Sequence, residues 1–290
     1  MKFSLVSLFG AALAVCAMAA TTATAQPAVD AATGGKIDLQ GAVNTRDIGG
    51  YRTYDGKTVK SGKAIRSDAL DALTDADVQK LGSLRLKQVI DLRTQAEVGA
   101  QGPDKVPAGV PVIARPVTDT GMYLQMLQLI KSGDPAKQQA ALGNGGAERI
   151  MQNMYTSLAT DADTTAKLGQ TIRDLAATDR PTLVHCTAGK DRTGWLMYVV
   201  LRAVGVPEQT ARQDYLLSNT YRAAADAALR DQVKQAGLMQ DPDLLIPLQE
   251  VRDEYLDTAV NAIGDFGKYL TDGLGLDPGT ILQLRKNLVG

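Results

Sequence analysis

The residues best suited to chemistry lie in one segment that holds a cysteine and the chain's only histidine, Val184-His185-Cys186-Thr187-Ala188-Gly189-Lys190-Asp191-Arg192-Thr193-Gly194. An apolar, β-like run enters this segment and a helical pattern leaves it. A loop between a strand and a helix points successive backbone N–H groups into one concavity, at the positive end of the helix dipole. Gly189 lets the backbone approach an anion closely, and Arg192 can bind two phosphate oxygens through its planar guanidinium. The sequence therefore predicts a phosphate-binding loop over residues 187–192.

This loop makes Cys186 a candidate nucleophile. Positive dipoles and nearby cations favour the thiolate form of a cysteine, and a thiolate beneath a bound phosphate can attack the phosphorus atom. An inert buried thiol is the simplest alternative. A Walker A loop is excluded, because it requires glycine where Val184 stands and serine or threonine where Asp191 stands. A metal site at His185 and Cys186 would lack further histidine or cysteine ligands.

The composition restricts the classes of function. Its 31 lysines and arginines nearly balance its 32 aspartates and glutamates, and no basic run is present, which argues against a nucleic-acid partner. An apolar fraction of 44% and a charged fraction of 22% are typical of a globular protein. Two cysteines and one histidine are too few for a structural zinc site of that ligand type.

The first 25 residues have the pattern of a secretory signal peptide. An apolar run over residues 3–20 follows a positive start, and Ala23-Thr24-Ala25 fits a small-residue cleavage site. A retained membrane helix is the alternative, and a lipoprotein site at Cys16 is disfavoured by the bulky residue before it. We expect cleavage after residue 25 and an exported protein, periplasmic or secreted, without stable membrane insertion. It would keep one unpaired cysteine, Cys186, whose presence in an oxidising compartment calls for a functional reason.

The elements around the loop alternate between strands and helices. Residues 26–36 are predicted to be a flexible segment, residues 37–290 one domain, and residues 44–51 a turn-rich loop. Alternation of this kind implies an α/β fold, with a mainly parallel central sheet flanked by helices and a helix-rich C-terminus. The predicted strands cover residues 87–92, 110–117 and 181–185. The predicted helices cover 75–81 behind a Thr74-x-x-Asp77 capping box, most of 121–179, 193–204, a segment that begins at Pro207, 251–270, and the residues after Asp277-Pro278.

The segment around Cys186 also resembles a known family. His185-Cys186, five further residues and Arg192-Thr193 match the motif of the cysteine-dependent protein tyrosine phosphatases. The fuller string HCTAGKDRTG resembles the bacterial tyrosine/serine phosphatases, whose members also act on phosphoinositides. Further similarities lie at NTRDIGGY (44–51), Arg66-Ser67, VIDLR (89–93) and DYLLSN (214–219). The resemblance implies a cysteine-phosphatase fold and a reaction that requires no metal or cofactor.

The resemblance also implies a two-step mechanism. Cys186 would attack the phosphorus atom and form a cysteinyl-phosphate, while Arg192 and the loop amides stabilise the equatorial oxygens of the transition state. His185 would orient the loop rather than act as an acid or a base. Thr193 would hydrogen-bond the departing thiolate in the second step.

The leaving group needs a proton, and two carboxyl groups are candidates. Asp119 follows the predicted strand 110–117, where phosphatases of this fold keep a mobile acidic loop, and we favour it. Asp191, inside the phosphate-binding loop, is the alternative. If Asp119 has no catalytic role, it is simply a solvated carboxylate in a loop. Asp91 and Arg93 are expected to be structural or to line the substrate site.

The substrate is less tightly restricted by the sequence. We expect a phosphorylated protein, above all phosphotyrosine, with phosphoserine, phosphothreonine and phosphoinositides as further substrates and inorganic phosphate as product. Lys190 would suit a multiply phosphorylated headgroup, and an aromatic clamp would come from Tyr51, Tyr123, Tyr155 or another tyrosine. Residues 121–160 are predicted to form a helical cap over the site. A phytase-like inositol phosphate phosphatase and a non-hydrolytic phosphate-binding or sulfur-transfer protein remain open as alternatives.

Overall fold

The computed structural model describes residues 35–290. The predicted signal peptide over residues 1–25, and all but the end of the predicted flexible segment, lie outside the described residues. Within that segment Lys36 forms an antiparallel bridge to Arg46. No helix in the described part of the chain is both long enough and apolar enough to span a bilayer.

A five-stranded sheet forms the centre of the protein, with the strand order β1-β2-β5-β3-β4. β1 is antiparallel to β2, and the other neighbouring pairs are parallel, so the predicted α/β fold with a mainly parallel sheet is confirmed. Ser67 and Asp91 both lie opposite His185 in the register, so three strands end together just before Cys186. The strands are β1 (Arg46–Asp47), β2 (Ala64–Ser67), β3 (Gln88–Asp91), β4 (Val112–Ala114) and β5 (Thr182–His185).

Helices cover both faces of the sheet. Successive residues of a strand point to opposite faces, and here Val89 and Leu183 enter one apolar cluster while Ile90 and Val184 enter the other. The smaller cluster packs beneath α1, and the larger one is built mostly by helices that follow residue 121. The helices are α1 (Asp75–Ser83), α2 (Gln95–Gln101), α3 (Met122–Lys131), α4 (Pro135–Leu142), α5 (Gly146–Thr160), α6 (Ala162–Ala176), α7 (Arg192–Ala203), α8 (Glu208–Gln235), α9 (Ile246–Gln249), α10 (Asp253–Ile263), α11 (Phe266–Lys268) and α12 (Pro278–Leu288).

Local sequence explains several of these boundaries. The capping box predicted at Thr74 is present: its hydroxyl accepts from the amide of Asp77, and the Asp77 carboxylate accepts from the amide of Thr74. Proline at the first turn opens α4 and α12. Gly143, Asn144 and Gly145 separate α4 from α5.

Three local predictions are wrong. The strand expected over residues 110–117 is limited to β4, because Pro111 and Pro116 bracket it and proline has no N–H for the ladder. The helix expected over residues 251–270 is divided at Gly264, whose φ of +62° ends α10. Residues 44–51, expected to be a loop, contribute the short strand β1.

Candidate active site

The predicted phosphate-binding loop follows Cys186 and joins β5 to α7. Gly189 is essential to its course: its φ is +65°, and a Cβ added there would overlap the backbone carbonyl of Ser67. α7 begins at Arg192, and its first turn is entirely buried. The positive end of a buried helix therefore faces the loop, as the sequence predicts.

Donors from outside the loop hold its carbonyl groups. The amide of Ala69 donates to the carbonyl oxygen of Thr187 at 3.1 Å, the side chain of Asn44 to that of Ala188 at 3.0 Å, and Arg66 to that of Gly189 at 2.9 Å. Three successive carbonyls are thus turned outward. Their amide groups lie on the other side of the backbone and have no acceptor among the described residues, so they are available to an anion.

Arg66 is itself held by a buried ion network centred on Asp214 of α8. The Asp214 carboxylate accepts from Arg66 Nη1 at 2.6 Å, from Arg46 Nε at 3.1 Å and from the Tyr51 hydroxyl at 3.1 Å. Burial alone would raise the pKa of Asp214, but the charges of the two arginines lower it. The NTRD, Arg66-Ser67 and DYLLSN segments therefore meet in space, and together they support the loop from below.

Arg192 is fixed by acceptors on one end of its guanidinium plane. Nη1 donates to Oε2 of Glu97 at 2.8 Å and to the carbonyls of Leu92 and Val117 at 3.3 and 3.2 Å, and Nη2 donates to Oε1 of Glu97. Nε–H and the second Nη2–H share the remaining edge and have no acceptor among the described residues. That edge offers the two parallel donors that a phosphate binds.

Glu97 is a site residue that the sequence analysis does not predict, as are Arg222 and Asp226. Glu97 lies in the first turn of α2, where it completes a capping box with Thr94, and it also accepts from the Thr187 hydroxyl at 2.5 Å. Burial alone would raise its pKa, but the charge and hydrogen bonds of Arg192, with that of Thr187, lower the pKa of Glu97 to about 2. The Thr94-x-x-Glu97 spacing was the available signal for the helix start, yet nothing in the sequence links this carboxylate to Arg192.

His185 lies behind the loop, out of reach of a substrate, and is fully buried. Its Nε2 is 2.9 Å from Asp104 Oδ2 and its Nδ1 is 3.2 Å from the carbonyl oxygen of Cys186. Both partners are acceptors, an arrangement that favours protons on both ring nitrogens. Burial alone would lower the pKa of His185, but the hydrogen bond and charge of Asp104 raise it. Through the Cys186 carbonyl, the ring holds the backbone at the start of the loop.

The two candidate proton donors come from different elements: Asp119 precedes α3, and Asp191 precedes α7. Asp119 is 4% exposed, and its two oxygens accept from the amides of Gly121 at 3.0 Å and Tyr123 at 2.8 Å, at the start of α3. Asp191 is 6% exposed and accepts from the Tyr155 hydroxyl at 3.0 Å and from Lys190 Nζ at 2.9 Å. Each carboxyl is therefore an acceptor in this conformation.

One cleft brings most of the predicted site residues together, and we call it the active-site cleft. Seven of the predicted catalytic and phosphate-binding residues line it, together with apolar side chains of α3, α8 and the segment 242–249. The lining residues are Glu97, Asp119, Met122, Tyr123, Met126, Cys186, Thr187, Ala188, Lys190, Asp191, Arg192, Arg222, Asp226, Leu229, Leu245, Leu248 and Gln249.

Several predicted residues lie outside this cleft. Of the three tyrosines named as a possible aromatic clamp, Tyr123 lines the cleft, whereas Tyr51 is buried against Asp214 and Tyr155 against Asp191. Thr193 is fully buried, and its hydroxyl has no hydrogen-bond partner among the described residues.

Asp91 and Arg93 also lie away from the cleft, and their contacts are structural. Arg93 donates to Asp91 at 2.9 Å and to Asp104 at 2.7 Å, so it fixes the carboxylate that binds His185.

Comparison with known proteins agrees with this arrangement. The sequence model of the tyrosine phosphatase family matches residues 37–290. The chain is 30% identical over 278 residues to the triple specificity protein phosphatase PtpB of Mycobacterium tuberculosis, covering 87% of this chain and 99% of that protein. A tyrosine-protein phosphatase of Nostoc commune is 32% identical over 160 residues, or 54% of this chain and 48% of that protein. This chain belongs to the tyrosine phosphatase family and is a phosphatase.

Proposed function

We propose that this protein hydrolyses protein phosphotyrosine through a cysteinyl-phosphate on Cys186. The observation that carries the proposal is the joint placement of the buried thiol and the free edge of Arg192 in one cleft, beneath amides without acceptors. A phosphate bound by that edge and by those amides would hold its phosphorus atom over the sulfur.

In the first step the Cys186 thiolate attacks phosphorus, an S–P bond forms, and the P–O bond to the tyrosine oxygen breaks. Charge on the three equatorial oxygens is stabilised by loop amides and by the guanidinium, which Glu97 keeps from rotating. In the second step water attacks the cysteinyl-phosphate and releases inorganic phosphate. The buried Thr193 hydroxyl, one residue beyond Arg192, is the proposed donor to the departing thiolate.

Asp119 is the proposed proton donor to the tyrosine oxygen. It lines the cleft together with Arg192, and it lies at the start of α3, where a shift of the backbone would release its two amide partners. Asp191 is the alternative, because it lines the same cleft, but Lys190 and Tyr155 already hold it.

Leaving-group dependence separates the two carboxyl groups. Asp119→Asn is expected to reduce kcat strongly for phenyl phosphate and much less for 4-nitrophenyl phosphate, because a good leaving group departs without a proton. Asp191→Asn is expected to affect both substrates equally. The reverse result would assign the proton transfer to Asp191.

The walls of the cleft favour an aryl phosphate. Met122 and Met126 of α3 line the cleft together with Leu229 and Leu248, so a phenyl ring attached to the phosphate would be desolvated there. The relative named as a triple specificity phosphatase supports a broader range that includes phosphoserine, phosphothreonine and phosphoinositides. Lys190, a further cation in the lining, supports the phosphoinositides in particular.

The charges of the cleft argue against a phytase-like role. Three cations line it, and they are outnumbered by four carboxylates; these residues are Lys190, Arg192 and Arg222 against Glu97, Asp119, Asp191 and Asp226. Inositol hexakisphosphate would bring many charges into a cleft with no excess of positive charge.

A substrate panel on the purified protein tests the proposal. Phosphotyrosine peptides are expected to be hydrolysed faster than phosphoserine peptides and much faster than inositol hexakisphosphate. Cys186→Ser is expected to abolish turnover, chelators to leave it unchanged, and acid-quenched mass spectrometry of Asp119→Asn to find a phosphate adduct on the Cys186 peptide. Turnover that survives in Cys186→Ser would overturn the mechanism, and no turnover on any substrate would favour the phosphate-binding or sulfur-transfer alternative.

We also propose that the protein is exported. The signal-peptide pattern of residues 1–25 supports this, as does the single thiol that cleavage would leave. Fractionation of the producing cells, with N-terminal sequencing of the protein recovered outside the cytoplasm, tests it. A protein that keeps residues 1–25 in the cytoplasmic fraction would contradict the proposal.

A further inference from the structure

Two buried tyrosines reach the phosphate-binding loop from the helices around it. The Tyr155 hydroxyl, on α5, lies 3.0 Å from Asp191 Oδ1 and 2.7 Å from the hydroxyl of Tyr215, on α8. Both side chains are fully buried, and their rings meet edge to face with centroids 6.3 Å apart. Neither residue lines the active-site cleft, so neither can touch a substrate.

The number of available protons fixes the direction of the hydrogen bonds that link Tyr215, Tyr155 and Asp191. A tyrosine hydroxyl has one proton, and an ionised carboxylate can only accept. Asp191 Oδ1 accepts from Lys190 Nζ at 2.9 Å and from the Tyr155 hydroxyl, so Tyr155 has used its one proton and in turn accepts from Tyr215. Burial, with the charge of Asp191, raises the pKa of both tyrosines well above 10, so both hydroxyls stay protonated at any pH used for turnover.

Helix α8 therefore supports two positions of the loop through its adjacent residues Asp214 and Tyr215. Asp214 binds Arg66, which donates to the Gly189 carbonyl at 2.9 Å, and Tyr215 acts through Tyr155 on Asp191. These contacts fall two residues apart in the loop, on either side of Lys190. The backbone between them carries amides that are proposed to bind the phosphate.

We propose that Tyr155 and Tyr215 are positioning residues that act on the reaction through Asp191. Their hydrogen-bonded chain fixes the Asp191 carboxylate against Lys190 and so holds the second half of the loop in its phosphate-binding conformation. Tyr155 belongs to residues 121–160, so the predicted cap contributes directly to the geometry of the loop. The inference rests on the proposed phosphatase mechanism but assigns residues that the mechanism itself does not use.

A double-mutant cycle tests the inference with 4-nitrophenyl phosphate as substrate. Tyr155→Phe removes one hydrogen bond to a charged group, and kcat is expected to fall about 10- to 100-fold while KM changes little. Tyr215→Phe is expected to give a smaller loss, because Tyr155 keeps its own bond to Asp191. In an Asp191→Ala background Tyr155→Phe is expected to have almost no further effect, since the hydroxyl then has no carboxylate to hold.

Tyr198→Phe is the matched control. Its hydroxyl is also buried, but it accepts from Arg202 at 3.0 Å and has no contact with the loop, so kcat is expected to remain at the wild-type value. Full activity in Tyr155→Phe, or an equal loss with and without Asp191, would overturn the inference and leave the proposed function intact. If Tyr155→Phe does not fold, Tyr215→Phe carries the same cycle. A wild-type protein without turnover would overturn the proposed function, and this inference with it.

Discussion

Replacing Glu97 by glutamine would remove one charge from the centre of the site while keeping the shape of the side chain. Glutamine at this position of α2 still completes a capping box with Thr94, so the helix start is preserved. Both oxygens of Glu97 bind Arg192, and one also accepts from Thr187. The glutamine amide can accept one of these bonds, but its NH₂ group faces a guanidinium donor.

The magnitude follows from the titration of Glu97. Its pKa is about 2 in the folded protein against an ordinary value of 4.5, and each unit corresponds to 1.36 kcal/mol, so its ionised form contributes about 3 kcal/mol to the free energy of unfolding. Because the folded pKa is the lower one, this contribution is fully present above pH of about 4.5 and is lost as the pH falls through about 2. Glu97→Gln should therefore be less stable by about 3 kcal/mol at pH 7, within the range known for broken buried pairs. The loosened Arg192 should reduce kcat by about 10²-fold.

Urea unfolding at pH 7 and near pH 3 measures the stability difference, and turnover of 4-nitrophenyl phosphate at pH 7 measures the catalytic one. Glu208→Gln is the control: Glu208 also pairs with two arginines, Arg202 and Arg212, but its side chain is 40% exposed, so a change under about 1 kcal/mol is expected. The destabilisation by Glu97→Gln should shrink toward acid pH, because the wild-type protein loses the same interaction there. A stability loss equal to that of the control, or one independent of pH, would refute the assignment of Glu97 as the charged anchor of Arg192.

Three other substitutions probe the remaining supports of the loop. Gly189→Ala places a Cβ against the Ser67 carbonyl at a φ of +65°; we expect a loss of at least ~2 kcal/mol in thermal unfolding and severe loss of turnover, and a variant of wild-type stability would contradict the geometry. Asp214→Asn removes the negative charge that pairs with the buried guanidinium groups of Arg46 and Arg66, so urea unfolding should show a free energy of unfolding lower by about 3–5 kcal/mol. The raised pKa of His185 means that its pairing with Asp104 stabilises the protein fully below pH 6.5 and less as the pH rises through the folded value; thermal unfolding of wild type should record this decline, and His185→Asn should lack it.

The loop could be predicted from sequence because its information is local. Residues 184–194 contain the strand end, the proposed nucleophile Cys186, Gly189 and the first arginine of α7 in one continuous run. Short-range rules also predicted the capping box at Thr74 and the central strands β3 and β5. These features depend on neighbouring residues and on burial of apolar side chains, both of which a single sequence expresses.

The supports of the loop could not be predicted in the same way, because they act over long distances in the chain. Glu97 meets Arg192 across 95 positions, and Arg46 meets Asp214 across 168. A charged residue in a sequence is most often a solvated one, and pairing in a buried network is decided by tertiary packing. The same limit applies to Tyr155, which the sequence offers for an aromatic clamp and which instead donates to Asp191.

The cations of the site are all paired, and this explains how a chain of nearly balanced charge can bind an anion. Arg192 with Glu97, Lys190 with Asp191 and Arg222 with Asp226 are three ion pairs around one cleft. Paired cations produce little electric field at long range, so an extended polyanion is only weakly attracted to the cleft. The association rate of anionic substrates should therefore depend little on salt concentration. Close to the loop the situation is different, because amide groups without acceptors, the buried start of α7 and the free edge of Arg192 all point to one place. Recognition then depends on the shape and hydrogen bonds of a single phosphate group, which is the requirement of an enzyme that must bind phosphomonoesters with different attached groups.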